Sequence, residues 1–178
     1  MPGAPLIACV DAAYADDAAG VACALCEGWQ AEQAAQLFSR CLRSQPASYE
    51  PGSFYKRELP LLLEILGEVG LTMAAIVIDG YVWLGSDGRP GLGARLYRAL
   101  DEKVPVIGVA KTAFRGDTWS VPITRGASLK PLFVTAAGIE AQDAADAVRA
   151  MHGDHRIPTM LGCVDAAARS ALRRGLEG

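Results

Sequence analysis

The chain has 178 residues, 51% of them hydrophobic and 21% charged, with a formal net charge of −3. That is enough apolar material to bury a core without staples and too much for a disordered chain, and a compact α/β protein is the expected class. The mild acidity excludes a uniformly basic nucleic-acid binder, and no apolar run approaches the ~18 residues of a membrane span. Met1-Pro-Gly-Ala-Pro5 lacks the basic and apolar regions of a signal peptide, so one cytoplasmic domain over residues 1–178 is expected.

Leu6 to Val10 reads as a buried strand that delivers Asp11, followed by Ala12-Ala-Tyr14 and the acidic turn Asp16-Asp17. Gly20 to Cys26 follows closely enough for an antiparallel hairpin. Residues 29–43 are rich in Ala, Glu and Gln, which favour helix, yet the sheet would accept a third hairpin strand here, and strand is the reading adopted. Pro46 to Ser53 is a turn-rich link containing Tyr49-Glu-Pro-Gly52.

A helix then places Leu59, Leu62, Leu63 and Leu66 on one face, with Pro60 in its first turn and Gly67 and Gly70 ending it. Ile76-Val-Ile-Asp79 is a β-branched strand ending in a carboxylate at the edge where α/β folds place their chemistry. A glycine-rich loop from Gly80 to Gly93 leads to a short helix over about 94–100. Val104 to Val109 forms another strand, delivering Ala110 and Lys111 to the same edge. Residues 115–130 read as irregular and Leu132 to Thr135 as a last strand. Two helices complete the chain, one presenting Ala141, Ala144, Ala145, Val148 and Met151, the other Val164, Ala167, Ala168, Ala171 and Leu172.

The five cysteines form an odd, scattered set and read as free buried thiols. Cys23 and Cys26 have the spacing of a zinc or redox half-site, but on a strand two residues three apart point to opposite faces. His152 and His155 lie in a polar loop and read as solvated. Charge is unevenly spread: residues 89–130 hold eight bases and three acids, a balance of +5 that leaves −8 elsewhere. Such asymmetry suits one face that meets phosphates.

Asp11, Glu58 and Asp79, from three separate elements, suggest a divalent metal site, because hard cations such as Mg²⁺ take oxygen ligands. The order of elements, with acids ending the first and fourth strands, resembles the ribonuclease H-like fold, a mixed sheet with helices on both faces. Asp11-Ala-Ala-Tyr14, Tyr49-Glu-Pro-Gly52, Arg57-Glu58-Leu-Pro60, Val77-Ile-Asp79-Gly80, Ile107-Gly-Val-Ala-Lys111 and Pro131-Leu-Phe-Val134 together resemble the endonuclease V family.

The resemblance implies a Mg²⁺-dependent nuclease, with Mn²⁺ as a substitute. Such an enzyme recognises inosine in DNA or RNA, in single-stranded or distorted form, and cuts one bond to its 3′ side. Asp11 and Asp79 would hold the metal and Glu58 would complete the acidic site. Lys111 would sit near the scissile phosphate, and Tyr49 would fill the space left by a flipped base. Gly80, Tyr81 and Trp83 open the loop expected to meet that base.

The chain departs from the family in that loop, where Tyr81-Val-Trp-Leu-Gly-Ser-Asp87-Gly-Arg-Pro90 is longer and lacks the family's histidines. Ala137-Gly138 stands where a Gly-His is usual, whereas Arg156-Ile-Pro158 is kept and Asp165 occupies a position of His or Asp. The bulk of Tyr81, Val82 and Trp83 would narrow a pocket for hypoxanthine, or Trp83 would offer a stacking face. Two functions of different class therefore follow from the sequence: a working nuclease of altered specificity, and a catalytically quiet nucleic-acid-binding or structural relative.

Overall fold

The computed structural model describes residues 4–43 and 54–178, so Tyr49 and the whole Pro46–Ser53 link lie outside the described residues. The hairpin strands are β1 (Leu6–Tyr14), β2 (Ala18–Glu27) and β3 (Gln36–Arg43), and α1 (Tyr55–Val69) leads into β4 (Ala75–Asp79). A two-stranded ribbon, β5 (Trp83–Leu84) and β6 (Arg89–Pro90), precedes α2 (Leu92–Ala99) and β7 (Val106–Ala110). Then come β8 (Val121–Ile123), β9 (Leu132–Ala137), α3 (Ala141–Ala150) and α4 (Thr159–Glu177).

Seven strands form one mixed sheet in the order β3-β2-β1-β4-β7-β9-β8. The three central strands β1, β4 and β7 run parallel, and the outer ones are antiparallel to their neighbours. Burial on both faces explains why Ala75–Ile78 is a continuous apolar run rather than an alternating one. One face packs Ile7, Cys9, Val77, Ile107 and Val109 against α3 and α4. The other packs Ala8, Val10, Ile76 and Ile78 against α1 and α2. Each fully buried Ile or Val contributes about 1.5–3 kcal/mol, so the centre of the sheet is the most strongly held part of the site's support.

Gly108 shows how the loop after β4 is seated. A Cβ there would come 2.5 Å from the Gly80 carbonyl and 3.0 Å from Thr135 Oγ1. Its absence lets the loop lie directly on β7, where the Val82 N–H donates to Thr135 Oγ1 at 2.8 Å.

Of residues 29–43, expected as strand, only 36–43 form one, while 29–35 are turns and bends; the polar composition of β3 follows from its being a largely exposed edge. Other expectations are corrected as well. The stretch 115–130 contains β8, an edge strand paired with β9 in which Pro122 is exposed, a position where a missing N–H costs no ladder bond. The buried stripe of α1 is Leu61, Leu62, Ile65, Leu66 and Val69, with Leu59 and Leu63 only flanking it, because the helix enters with the 61/65/69 row toward the sheet. Pro60 lies beyond the first turn, and the helix passes through Gly67 to stop at Gly70, whose φ of 61° is left-handed.

All five cysteines are free, but only Cys9, Cys23 and Cys26 are buried as expected, Cys41 and Cys163 being partly exposed. Cys26 lies in the core on the α4 side of the sheet and Cys23 on the α1 side, as alternation requires. His152 is exposed and meets Thr159 Oγ1 at 3.0 Å through Nδ1. Among the described residues, no helix is long and apolar enough to cross a membrane.

Candidate active site

Strand alternation builds the site. Ile7 and Cys9 face α4, so Asp11 does too; Ala75 and Val77 carry Asp79 to that side, and Ile107 and Val109 carry Lys111. Register then makes them neighbours: Val10 pairs with Ile78, so Asp11 and Asp79 are the next residues on adjacent parallel strands, and Asp79 itself pairs with Val109. The three polar side chains line a cleft whose apolar wall is Val10, Val109, Ile157, Leu161 and Val164.

Glu58 reaches the neighbourhood from α1. Arg57 anchors that helix to the end of β1, donating to the Ala15 carbonyl at 2.8 Å and lying 4.5 Å over the Tyr14 ring. Glu58 lines an adjoining pocket with Phe54, Tyr55, Leu84 and Pro90.

The electrostatics are those of acids short of positive charge. Burial, with a further push from Asp11 and Asp79, raises Glu58 to about 8. Burial likewise raises Asp11 to about 6; the Ala12 N–H, donating to its Oδ1 at 2.8 Å, pulls against that, while Asp79 and Asp165 add to it. The neighbouring cation is Lys111, whose Nζ donates to Asp79 Oδ2 at 2.8 Å. Burial works against the ammonium's charge, but Asp79, Asp11 and Asp165 outweigh it and hold Lys111 above the ordinary lysine value.

The expected three-acid metal site is not preassembled. Among the described residues no three acidic, histidine or cysteine side chains converge as a metal cage. The reasons are local: Asp79 is turned to Lys111, Asp11 to the Ala12 N–H, and Glu58 lines the adjoining pocket. The donor set nonetheless fits a hard divalent cation, since it consists of carboxylate oxygens whose partial burial disfavours charge without a counterion.

Gly80 leaves the strand by donating its N–H to Val109 O at 3.0 Å. Tyr81 then clamps the loop after Lys111: its hydroxyl donates to Thr112 O at 2.9 Å and accepts the Phe114 N–H at 3.0 Å. Val82, expected to narrow a base pocket, is instead fully buried among core residues. Trp83 is partly buried and donates its indole N–H to Ala136 O at 2.9 Å.

Three contributors were given no role at the site from sequence. Asp165 on α4 adds its charge to Asp11 and Lys111; its signal was its position as a family His-or-Asp. Arg125 is buried and donates to the carbonyls of Met151, Gly153 and His155, fixing the loop before α4. From that loop Arg156 donates to the carbonyls of Lys111, Lys130 and Pro131, tying Lys111's backbone in place. A guanidinium spent on distant carbonyls leaves no trace in sequence spacing.

A family model described as Endonuclease V matches residues 2–132. Among solved structures, the chain is 26% identical to endonuclease V from Streptomyces avermitilis, with a TM-score of 0.72, covering 98% of this chain and 84% of that one. It is 21% identical to human ENDOV, with a TM-score of 0.78 and coverage of 97% and 86%. Against Ciona intestinalis endonuclease V in complex with a 24mer DNA containing an inosine followed by a ribo-adenosine, identity is 15%, TM-score 0.80, and coverage 96% and 87%. These likenesses identify the sheet as the ribonuclease H-like fold. No curated protein matches the chain.

Proposed function

This chain belongs to the endonuclease V family, and from that premise we propose that it is a divalent-metal-dependent endonuclease acting on inosine-containing nucleic acid. In this reading the whole chain acts as one cytoplasmic nuclease domain, taking single-stranded or distorted DNA or RNA and cutting one phosphodiester to the 3′ side of the base. The observation that carries the reading is the convergence of Asp11, Asp79 and Lys111 on one cleft, with the charges of Glu58 and Asp165 felt there.

Asp11, Asp79 and Glu58 would hold Mg²⁺ or Mn²⁺. When bound, such an ion neutralises charge developing on the phosphate and makes water a better nucleophile. Lys111 supplies a fixed ammonium that opposes phosphate charge from the protein side. Tyr81 holds the 112–114 loop that follows Lys111, so the approach to the cleft is shaped before substrate arrives. Tyr49 would offset the stacking lost by a flipped base, and Gly80, Tyr81 and Trp83 would line the side on which that base enters.

A quiet nucleic-acid-binding relative is the second reading, favoured by the Lys111–Asp79 ion pair occupying a carboxylate that a metal would need. One experiment separates the two. Matched oligonucleotides differing in a single inosine are incubated with Mg²⁺ or Mn²⁺, and metal binding is followed by thermal stability. Metal-dependent cleavage supports the nuclease; metal-induced stabilisation with every substrate left intact supports the quiet relative.

A further inference from the structure

We propose that the outward face of Trp119, which is not among the residues lining the acidic cleft, is a stacking platform for an unpaired nucleotide, carried by the most basic segment of the chain. The proposal rests on the nucleic-acid reading above and names a contact site for it.

Trp119 is 46% exposed, yet its ring is backed on the protein side. The Trp83 ring lies behind it at 6.0 Å between centroids and a 42° tilt, and Trp83 is itself tethered to Ala136 O. Gly88, at the turn of the β5–β6 ribbon with a φ of +65°, approaches so closely that a Cβ would lie 2.6 Å from the ring. The backbone is fixed too, because Asp117 Oδ1 accepts the N–H groups of Trp119 at 2.9 Å and Ser120 at 3.1 Å. An aromatic ring held this way loses little freedom on binding, which is what makes a stacking surface effective.

The stretch of chain that carries the ring indicates the partner. Phe114, Trp119 and Leu129, the last 94% exposed, lie in the same stretch of chain as Arg115 and Lys130, inside the segment of balance +5. Exposed apolar groups interleaved along the chain with basic residues are the composition that single-stranded nucleic acid favours, since phosphates meet cations and nucleobases meet rings. The platform also connects to the cleft through short links, because Trp83 stands two residues after Tyr81, which clamps Thr112 and Phe114 beside Lys111.

The test is binding of fluorescein-labelled single-stranded oligonucleotides of several sequences to the full chain in chelator, where no metal-dependent cleavage can occur. Trp119→Leu keeps apolar volume against Gly88 and Trp83 but removes the stacking face, and Trp119→Tyr restores a ring. The expected result is affinity lowered about 5- to 100-fold in the leucine variant, similarly for all sequences, and largely recovered in the tyrosine variant. Quenching of tryptophan emission by unlabelled oligonucleotide should also be lost with Trp119, although Trp29 and Trp83 remain. Wild-type affinity in Trp119→Leu, with the fold verified by its melting curve, overturns the platform and leaves the nuclease reading standing. If the unmodified chain binds no oligonucleotide in chelator, the platform fails, and the nuclease reading is decided separately by metal-dependent cleavage. Trp119-dependent binding without metal-dependent cleavage upholds the platform and removes only the nuclease.

Discussion

Lys111 Nζ lies 2.8 Å from Asp79 Oδ2, so the end of β7 neutralises the end of β4 across two adjacent parallel strands. Both side chains are about two-fifths exposed, at 44% and 41%, so the pair adds little to global stability; its consequence is competition for one carboxylate. Mn²⁺ should raise the melting temperature of the unmodified protein, and Asp79→Asn should abolish most of the rise. Lys111→Met should keep or enlarge it while slowing cleavage roughly 10- to 100-fold. Thermal melts across a metal series check this, and an undiminished rise in Asp79→Asn would remove Asp79 from the site.

The raised acids predict an unusual pH profile for the metal-free protein. Glu58 binds its proton more tightly folded, with a value of about 8, than unfolded, near 4.5. Between those values the folded state holds more protons, so stability is greatest below the lower one and is lost as pH rises through the higher. Asp11, raised to about 6, adds loss over the lower part of that window. Glu58→Gln should flatten the profile and stabilise the metal-free protein at pH 8 by roughly 1–3 kcal/mol. Divalent metal should reverse the slope, because its ligands must be deprotonated. Urea melts at pH 5, 6.5 and 8, with and without metal, measure both effects, and a flat metal-free profile for the unmodified chain contradicts the first.

Preference for inosine over adenine should be weak. Val82 is spent on the core, but Tyr81 and Trp83 still stand where the family places small and histidine residues, and both are tied to backbone carbonyls. Cleavage rates on matched oligonucleotides should differ by less than about tenfold, on the order of 1.4 kcal/mol. Strong inosine-dependent cutting would show that this loop opens a pocket despite its bulk.

Arg125→Met should destabilise the fold by about 2–4 kcal/mol, since it strands the carbonyls that the guanidinium satisfies before α4. Chemical denaturation should show a lower midpoint with an unchanged slope. Arg156→Ala, which frees the Lys111 carbonyl, should cost less stability and more catalytic rate. Equal losses in both quantities for the two variants would argue against a division of labour between them.

How far the sequence reached can be seen at single residues. Ile76-Val-Ile-Asp79 announced a buried strand and its terminal acid, because a doubly covered parallel strand needs apolar residues at every position until it emerges. Alternation alone put Asp11 and Lys111 on one side of their strands, and it separated Cys23 from Cys26. The family's short motifs carried the acids and Lys111 as candidates. What spacing along the chain does not encode is which strands become neighbours, in what register, and where a long side chain ends. Register set Asp11 beside Asp79; the reach of Lys111, Arg125 and Arg156 across 32, 30 and 45 residues decided their partners. Val82, expected beside a base pocket, lies in the core for the same reason, and Trp119, about which spacing is silent, stands half exposed. A tryptophan or valine in a loop reads alike from sequence whether it faces water or core; the seating of the loop after β4 on Gly108 buried Val82, and packing against Gly88 left Trp119 half exposed.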